Sequence, residues 1–137
     1  MNTILIVDDT ESSRDLLSKL LRKQGYQTVC AGDGLEALAA VEEHRPALIL
    51  LDIMMPVMDG VEFLRTLRQD PQRGGLPVIA VTACSDNATL ERMAQLGVFD
   101  YMVKSRFSIT VLLERVRQAL SGGLEQQRAP GMGLPSC

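Results

Sequence analysis

The chain has 137 residues, of which 46% are hydrophobic and 23% charged, and its formal charge at pH 7 is −3. This length and balance are typical of one globular domain with a buried core. The small negative charge leaves no basic surface for a polyphosphate partner, which argues against direct binding to nucleic acid.

The N-terminal residues and the longest apolar stretch argue against secretion and against a membrane span. The chain reaches Asp8 and Asp9 after four apolar residues and has no basic segment before them, unlike a signal peptide. The apolar stretch from Ala47 is interrupted at Asp52 and is far too short to cross a bilayer. The three cysteines are too far apart for a disulfide framework or a metal site. We therefore expect a cytoplasmic protein without membrane contacts.

Short apolar runs alternate with amphipathic segments along the chain. The runs cover residues 3–8, 26–31, 47–52, 77–82 and 99–103, and such mostly continuous runs are typical of strands covered on both faces. A strand followed by a helix, five times over, predicts an α/β fold with a parallel sheet and helices on both faces. Each amphipathic segment has apolar residues at helical spacing, which would form a stripe along one face of a helix. The five stripes are Leu16, Leu17, Leu20 and Leu21; Leu35, Leu38 and Val41; Val61, Leu64 and Leu67; Leu90, Met93 and Ala94; and Ile109, Leu112, Leu113 and Val116.

Capping residues support these boundaries. Asp33 with Glu36, and Asp59 with Glu62, have the spacing of a capping box. In that motif the Asp accepts a hydrogen bond from a first-turn amide, and the Glu reaches back to the amide of the capping residue. Glycines suited to end a helix before a strand are Gly25 and Gly97.

Apolar periodicity stops at Ser121. The residues beyond it contain four glycines and two prolines and only two charged side chains. The sequence therefore predicts one domain over residues 1–121, followed over 122–137 by a flexible tail or the start of a linker.

Polar side chains follow four of the five predicted strands, and only the second strand ends without one. In open α/β sheets the ligand crevice lies outside the carboxyl ends of the strands. Carboxylates brought together there repel one another unless they take up protons or hold a cation. Mg²⁺ fits because it binds carboxylate oxygens and leaves other positions for water and phosphate oxygens. The residues concerned are Asp8 and Asp9 on the first strand, Asp52 on the third, Thr82 on the fourth and Lys104 on the fifth.

Five motifs, in a fixed order over residues 3–120, carry a family resemblance. They are Ile6-Val7-Asp8-Asp9, Ala31-Gly32-Asp33-Gly34-Leu35-Glu36-Ala37-Leu38, Leu51-Asp52-Ile53-Met54-Met55-Pro56-Val57-Met58-Asp59-Gly60, Val81-Thr82-Ala83 and Tyr101-Met102-Val103-Lys104. In this order the chain resembles the CheY-like receiver domains of bacterial two-component response regulators. The resemblance implies a five-stranded parallel sheet of order 2-1-3-4-5.

The resemblance also implies a phosphorylation chemistry. Asp52 would accept a phosphoryl group from a phosphohistidine on a sensor histidine kinase or a phosphotransfer protein. Asp8, Asp9 and Asp52, with the backbone carbonyl of Met54, would hold Mg²⁺, which draws charge from the transferring group. The chain would then be a switch and not an enzyme with a separate substrate.

Three further residues receive roles from the resemblance. Lys104 would bind a second phosphoryl oxygen as a compact point charge. Thr82 would donate its hydroxyl to the third oxygen, and Tyr101 would then turn inward toward the space that Thr82 leaves. The signal would pass by protein contact to a downstream effector or to an output domain of a longer protein.

One feature departs from the family pattern, and one concerns the lifetime of the phosphorylated state. The family usually has proline after its cleft lysine, whereas Ser105 follows Lys104 here, which favours a trans peptide bond at this place. Met54 and Cys84 are poor at orienting a water molecule in line with phosphorus, which predicts slow self-dephosphorylation.

Two alternative functions remain open from the sequence. The first is a protein-binding module that keeps the receiver fold without phosphorylation, and the full set of polar strand-end residues argues against it. The second is a hydrolase of the haloacid dehalogenase type, which also uses a strand-end Asp and Mg²⁺. Those enzymes place a second Asp two residues after the nucleophile, where this chain has Met54.

Overall fold

A computed structural model describes residues 2–52, 59–82, 87–103 and 108–121. No helix within these ranges is long and apolar enough to cross a membrane. Strands and helices alternate as the sequence predicts. The elements are β1 (Thr3–Val7), α1 (Glu11–Lys23), β2 (Gln27–Ala31), α2 (Gly34–His44), β3 (Leu48–Leu51), α3 (Gly60–Arg68), β4 (Val78–Thr82), α4 (Asn87–Gln95), β5 (Asp100–Val103) and α5 (Ile109–Ser121).

The five strands form one parallel sheet in the order β2-β1-β3-β4-β5. The order confirms the doubly wound topology expected from the family resemblance. Helices α1 and α5 pack on one face of the sheet, and α2, α3 and α4 pack on the other. All the strands therefore end at the same edge, where Asp8, Asp9, Asp52 and Thr82 lie.

Each face of the sheet has its own apolar core, and β3 contributes to both. Successive strand side chains point to opposite faces. Leu48 and Leu50 pack with α1 and α5, whereas Ile49 and Leu51 pack with α2, α3 and α4. All four side chains are buried. The continuous apolar run of this strand is explained by its central position.

The prediction that every strand is covered on both faces is wrong for the two edge strands. In β2 only Ala31 is buried, while Gln27 and Cys30 are exposed. In β5 only Asp100 is buried, and the other three residues are partly exposed. An edge strand has a neighbouring strand on one side only, so the helices that cover the middle of the sheet leave part of it in solvent.

Three apolar residues of the predicted helical stripes lie in solvent instead of in the core. Leu16 is 50% exposed, Leu35 54% and Ile109 44%. Helix α2 buries the small side chains of Ala37 and Ala40 in place of Leu35. Small side chains on the inner face let the helix backbone approach the sheet closely, so the large leucine stays outside. The stripe of α3 is buried as predicted.

The capping interactions of α2 and α3 agree with the sequence in part. The Asp33 carboxylate accepts a hydrogen bond from the Glu36 amide at 2.9 Å, and Asp59 caps α3 in the same way. The reciprocal bond of α2 differs from the capping box. The Glu36 carboxylate accepts from the amide of Gly32, at 2.7 Å, and not from that of Asp33. Its side chain therefore ties the start of α2 to the residue after β2.

Glycines close the turns after α1 and α4. Gly25 has a φ of 95° and Gly97 a φ of 82°, a left-handed conformation that glycine adopts without strain. Both positions were predicted as helix ends. Gly74 is required for a different reason, since a Cβ there would lie 2.7 Å from the carbonyl oxygen of Asp70.

A single arginine joins three segments at the amino-terminal edge of the sheet. Arg68 ends α3, and its guanidinium donates four hydrogen bonds of 2.7 to 2.9 Å to backbone carbonyls. The acceptors are Gly74 and Leu76 before β4, and Leu96 and Gly97 before β5. Burial lowers the pKa of this guanidinium. The side chain fixes the turns that lead into two adjacent strands.

An ion pair with a buried carboxylate joins β5 to α5. The Asp100 carboxylate is 4% exposed and pairs with the guanidinium of Arg115. The other carboxylate oxygen accepts a hydrogen bond from the Tyr101 amide at 2.8 Å. Both oxygens of the buried carboxylate therefore have a partner, which holds α5 against the edge of the sheet.

Besides the roles of the site residues Met54 and Lys104, two sequence predictions fall outside the described residues. They concern the tail over 122–137 and the peptide bond between Lys104 and Ser105. Both remain predictions.

Candidate functional site

Asp8 and Asp52 lie together because of the pairing between β1 and β3. Val7 is opposite Leu51 in the parallel register, so the residue that follows each strand leaves the sheet at the same level. The Asp52 amide donates to the Val7 carbonyl at 2.8 Å. The Asp8 amide donates to the carbonyl of Ala31 on the other side, at 3.0 Å. The sheet itself thus fixes the backbone of both acidic residues.

Three carboxylates form a cluster at this edge of the sheet. One oxygen from each of Asp8, Asp9 and Asp52 lies within 4.8 Å of the others. Asp8 is 2% exposed and Asp52 5%, whereas Asp9 is exposed. The Asp8 carboxylate also accepts a hydrogen bond from the Thr10 amide at 2.9 Å, which sets its orientation. The cluster has two buried members and one that opens to solvent.

The chemistry of this cluster fits a hard divalent cation. Carboxylate oxygens are the ligands that Mg²⁺ prefers, and it usually takes only one or two of them together with water. Three acidic groups at this separation repel one another, and a cation between them removes the repulsion. Asp9 is exposed, so this side of the cluster is open to solvent. The structure therefore brings together three of the predicted metal ligands.

The remaining predicted site residues are only partly described. Thr82 ends β4 and is opposite Val103, the last residue of β5. Tyr101 is half-buried and packs against the apolar core on the side of α2, α3 and α4. The other two predicted members, Met54 and Lys104, lie outside the described residues.

Two charged residues beside the cluster were not among the predicted site residues. Arg14 of α1 donates from Nη1 to the backbone carbonyl of Asp8 at 2.7 Å. Glu36 accepts from the amide of Gly32, the residue that follows Ala31. The sequence signal for Arg14 was weak, because a basic residue in the first helix after an acidic pair is common on any solvated helix. The spacing of Asp33 and Glu36 predicted a capping box, but it did not show that Glu36 would accept from the amide of Gly32.

Comparison with known proteins identifies the family. The family model described as the response regulator receiver domain matches residues 4–117. The DNA-binding response regulator MtrA of Mycolicibacterium paratuberculosis is 41% identical over 117 residues, which are 85% of this chain and 50% of that protein. The chain thus spans about half the length of this regulator.

Two further comparisons cover nearly the whole of the matched protein. The polar-differentiation response regulator DivK of Brucella anthropi is 37% identical over 118 residues, or 86% of this chain and 95% of DivK. The receiver domain of a signal transduction histidine kinase from Syntrophus aciditrophicus superposes with a TM-score of 0.82 at 35% identity, covering 89% of this chain and 92% of that structure. Together with the sheet order and the acidic cluster, these matches show that the chain belongs to the response regulator receiver domain family of two-component signalling.

Proposed function

We propose that this receiver domain is a phosphorylation-operated switch whose phosphoryl acceptor is Asp52. The observation that carries the proposal is the carboxylate cluster of Asp8, Asp9 and Asp52 at the carboxyl edge of the sheet. Asp52 directly follows β3, the middle strand of the sheet, and is nearly buried. A buried carboxylate beside two others is a suitable nucleophile once a cation offsets their charge.

The transfer step follows from the chemistry of the donor. An oxygen of the Asp52 carboxylate attacks the phosphorus of a phosphohistidine, and the bond between phosphorus and the imidazole nitrogen breaks. The imidazole nitrogen keeps the electron pair and takes up one proton. The products are an aspartyl phosphate and a neutral histidine.

The other members of the site would act on the phosphoryl oxygens. Mg²⁺ held by Asp8, Asp9 and Asp52, with the carbonyl of Met54, would draw negative charge from the transferring group. Lys104 would bind a second oxygen, and the Thr82 hydroxyl a third. Movement of Thr82 toward the phosphate would then allow Tyr101 to turn inward and change the adjoining surface.

The proposed partners are a sensor histidine kinase or phosphotransfer protein upstream, and an effector or output domain downstream. Relatives of this family include a regulator named as DNA-binding, of which the chain spans half, and a receiver within a histidine kinase. The receiver itself carries a net negative charge, so we expect any nucleic-acid contact to come from another domain.

Acetyl phosphate tests this function without the cognate kinase. The protein should gain the mass of one phosphoryl group only when Mg²⁺ or Mn²⁺ is present. Asp52→Asn should gain none, because an amide is not a nucleophile of this kind. Asp15→Asn is the matched control, since it makes the same change at an exposed position of α1, and it should be labelled like the wild type. Labelling of Asp52→Asn at the wild-type rate contradicts the assignment.

A further inference from the structure

The backbone beside the acidic cluster is held by charged side chains from two helices on opposite faces of the sheet. Arg14 extends from α1 and donates to the Asp8 carbonyl at 2.7 Å. Glu36 extends from α2 and accepts from the Gly32 amide, also at 2.7 Å. Neither side chain is a member of the carboxylate cluster itself. Arg14 binds the backbone of the cluster residue Asp8, and Glu36 binds the backbone just after the neighbouring strand β2.

Both side chains lie close to Gly32, the residue that follows β2. A Cβ placed on Gly32 would lie 3.4 Å from Arg14 Nη1 and 3.4 Å from Glu36 Oε1. The two charged groups are therefore no more than twice that distance apart. Between them, the Asp8 amide donates to the Ala31 carbonyl at 3.0 Å. The result is a continuous path from α1 through Asp8 and the end of β2 to α2.

We infer that Arg14 and Glu36 are positioning residues that set the affinity of the acidic cluster for Mg²⁺. Mg²⁺ requires near-ideal octahedral geometry, so its affinity depends on how accurately each carboxylate is held. Asp9 is the exposed member of the cluster and directly follows the carbonyl that Arg14 holds. Loss of Arg14 frees the Asp8 carbonyl directly. Loss of Glu36 frees the Gly32 amide, next to the Ala31 carbonyl that accepts from the Asp8 amide. Either loss leaves all three carboxylates in place. This inference rests on the proposed metal site.

The sign of the effect separates positioning from simple electrostatics. Arg14 places a positive charge at the Asp8 carbonyl, beside the acidic cluster, and charge alone would make it repel a cation. Removing it would then tighten Mg²⁺ binding. Positioning predicts the opposite, and loss of groups that orient metal ligands typically costs about 10-fold or more in affinity. The two explanations therefore predict changes in opposite directions.

Calorimetric titration of the metal-free protein with Mg²⁺ provides the test. We expect Arg14→Met to raise the Kd for Mg²⁺ by about 10-fold. Arg22→Met is the matched control, because it removes an exposed arginine from the same helix, and it should leave the Kd near that of the wild type. Thermal unfolding without metal should show both variants folded. An unchanged or lower Kd for Arg14→Met overturns the inference.

Variants of Glu36 keep the test decisive if Arg14→Met does not fold. Glu36→Gln retains an oxygen that can accept from the Gly32 amide, whereas Glu36→Leu does not. Both remove the same negative charge. Weaker Mg²⁺ binding by the leucine variant alone supports positioning, and equal affinity of the two variants contradicts it.

If the wild type itself does not bind Mg²⁺, the proposed metal site fails. If the wild type binds Mg²⁺ and the variants bind it equally well, only the role of the two side chains fails.

Discussion

Asp8 and Asp52 face one another because Val7 and Leu51, the residues before them, are directly opposed in the pairing of β1 with β3. A parallel sheet brings both strand ends to the same edge, and this register brings them to the same height. The backbone bonds from Asp8 to β2 and from Asp52 to β1 then hold the two residues in place. The position of the site thus follows from the order and register of β2, β1 and β3.

The first prediction concerns Arg68, whose guanidinium joins α3 to the turns before β4 and β5. Arg68→Met would keep most of the aliphatic contact but leave four backbone carbonyls without their donor. We expect a loss of about 2 to 4 kcal/mol in the free energy of unfolding. Urea denaturation measures this, with Arg65→Met, an exposed arginine of α3, as the control. Equal stability of the two variants would show that the carbonyls find other partners.

The second prediction concerns the ion pair between Asp100 and Arg115. Arg115→Met leaves a nearly buried carboxylate without its cation, and breaking a buried pair in this way typically costs about 3 to 5 kcal/mol. Arg115 is partly exposed, so we expect a value at the lower end of this range. Asp100→Asn combined with Arg115→Met should recover part of the loss, because no unpaired charge remains. Denaturant unfolding of both single variants and the double variant measures the coupling. A double variant with the sum of the two single losses argues against a coupled pair.

The third prediction is a pH dependence that arises from Asp70, in the turn after α3. Hydrogen bonds from the Gln72 amide, and then from the Arg73 amide, lower the pKa of this carboxyl below its ordinary value of 3.8. A lowered folded-state pKa stabilises the protein above the unfolded-state value, and this contribution is lost as the pH falls through the folded-state value. The wild type should therefore be more stable than Asp70→Asn at neutral pH.

Unfolding by urea from neutral pH down to about pH 3 measures this dependence. The difference in unfolding free energy between wild type and Asp70→Asn should shrink as the pH falls below the ordinary Asp value. A difference that stays constant over this range would mean that the charge of Asp70 does not contribute.

The fourth prediction concerns the lifetime of the phosphorylated state. Hydrolysis of an acyl phosphate needs a water molecule aligned with phosphorus, and the thioether at position 54 cannot hold one by a strong hydrogen bond. Met54→Asn or Met54→Glu should shorten the lifetime, whereas Met55→Asn serves as a control of the same chemistry one residue away. Release of phosphate from the labelled protein, followed over time, measures the rate. Decay that is the same in all of these proteins contradicts the role given to position 54.

Sequence patterns predicted the sheet and its acidic edge well because both depend on strong, local signals. Four fully apolar residues in β3 and an acid after β1 and β3 leave few alternatives in an α/β fold. The exposed Leu35 was predicted wrongly, because periodicity counts hydrophobicity and does not show that a close helix-to-sheet approach favours alanine. Arg68 and Arg14 gave no usable signal, since their partners are backbone carbonyls, which every residue possesses.

The most direct test of the central claim is to identify the residue that carries the phosphoryl group. Borohydride reduces an aspartyl phosphate to homoserine, which tandem mass spectrometry can locate in the sequence. After incubation with acetyl phosphate and Mg²⁺, we predict homoserine at position 52 and none at positions 8 and 9. Omission of Mg²⁺ should abolish the conversion. Homoserine at another aspartate, or unchanged conversion without a divalent cation, would contradict the assignment of Asp52 as the phosphoryl acceptor.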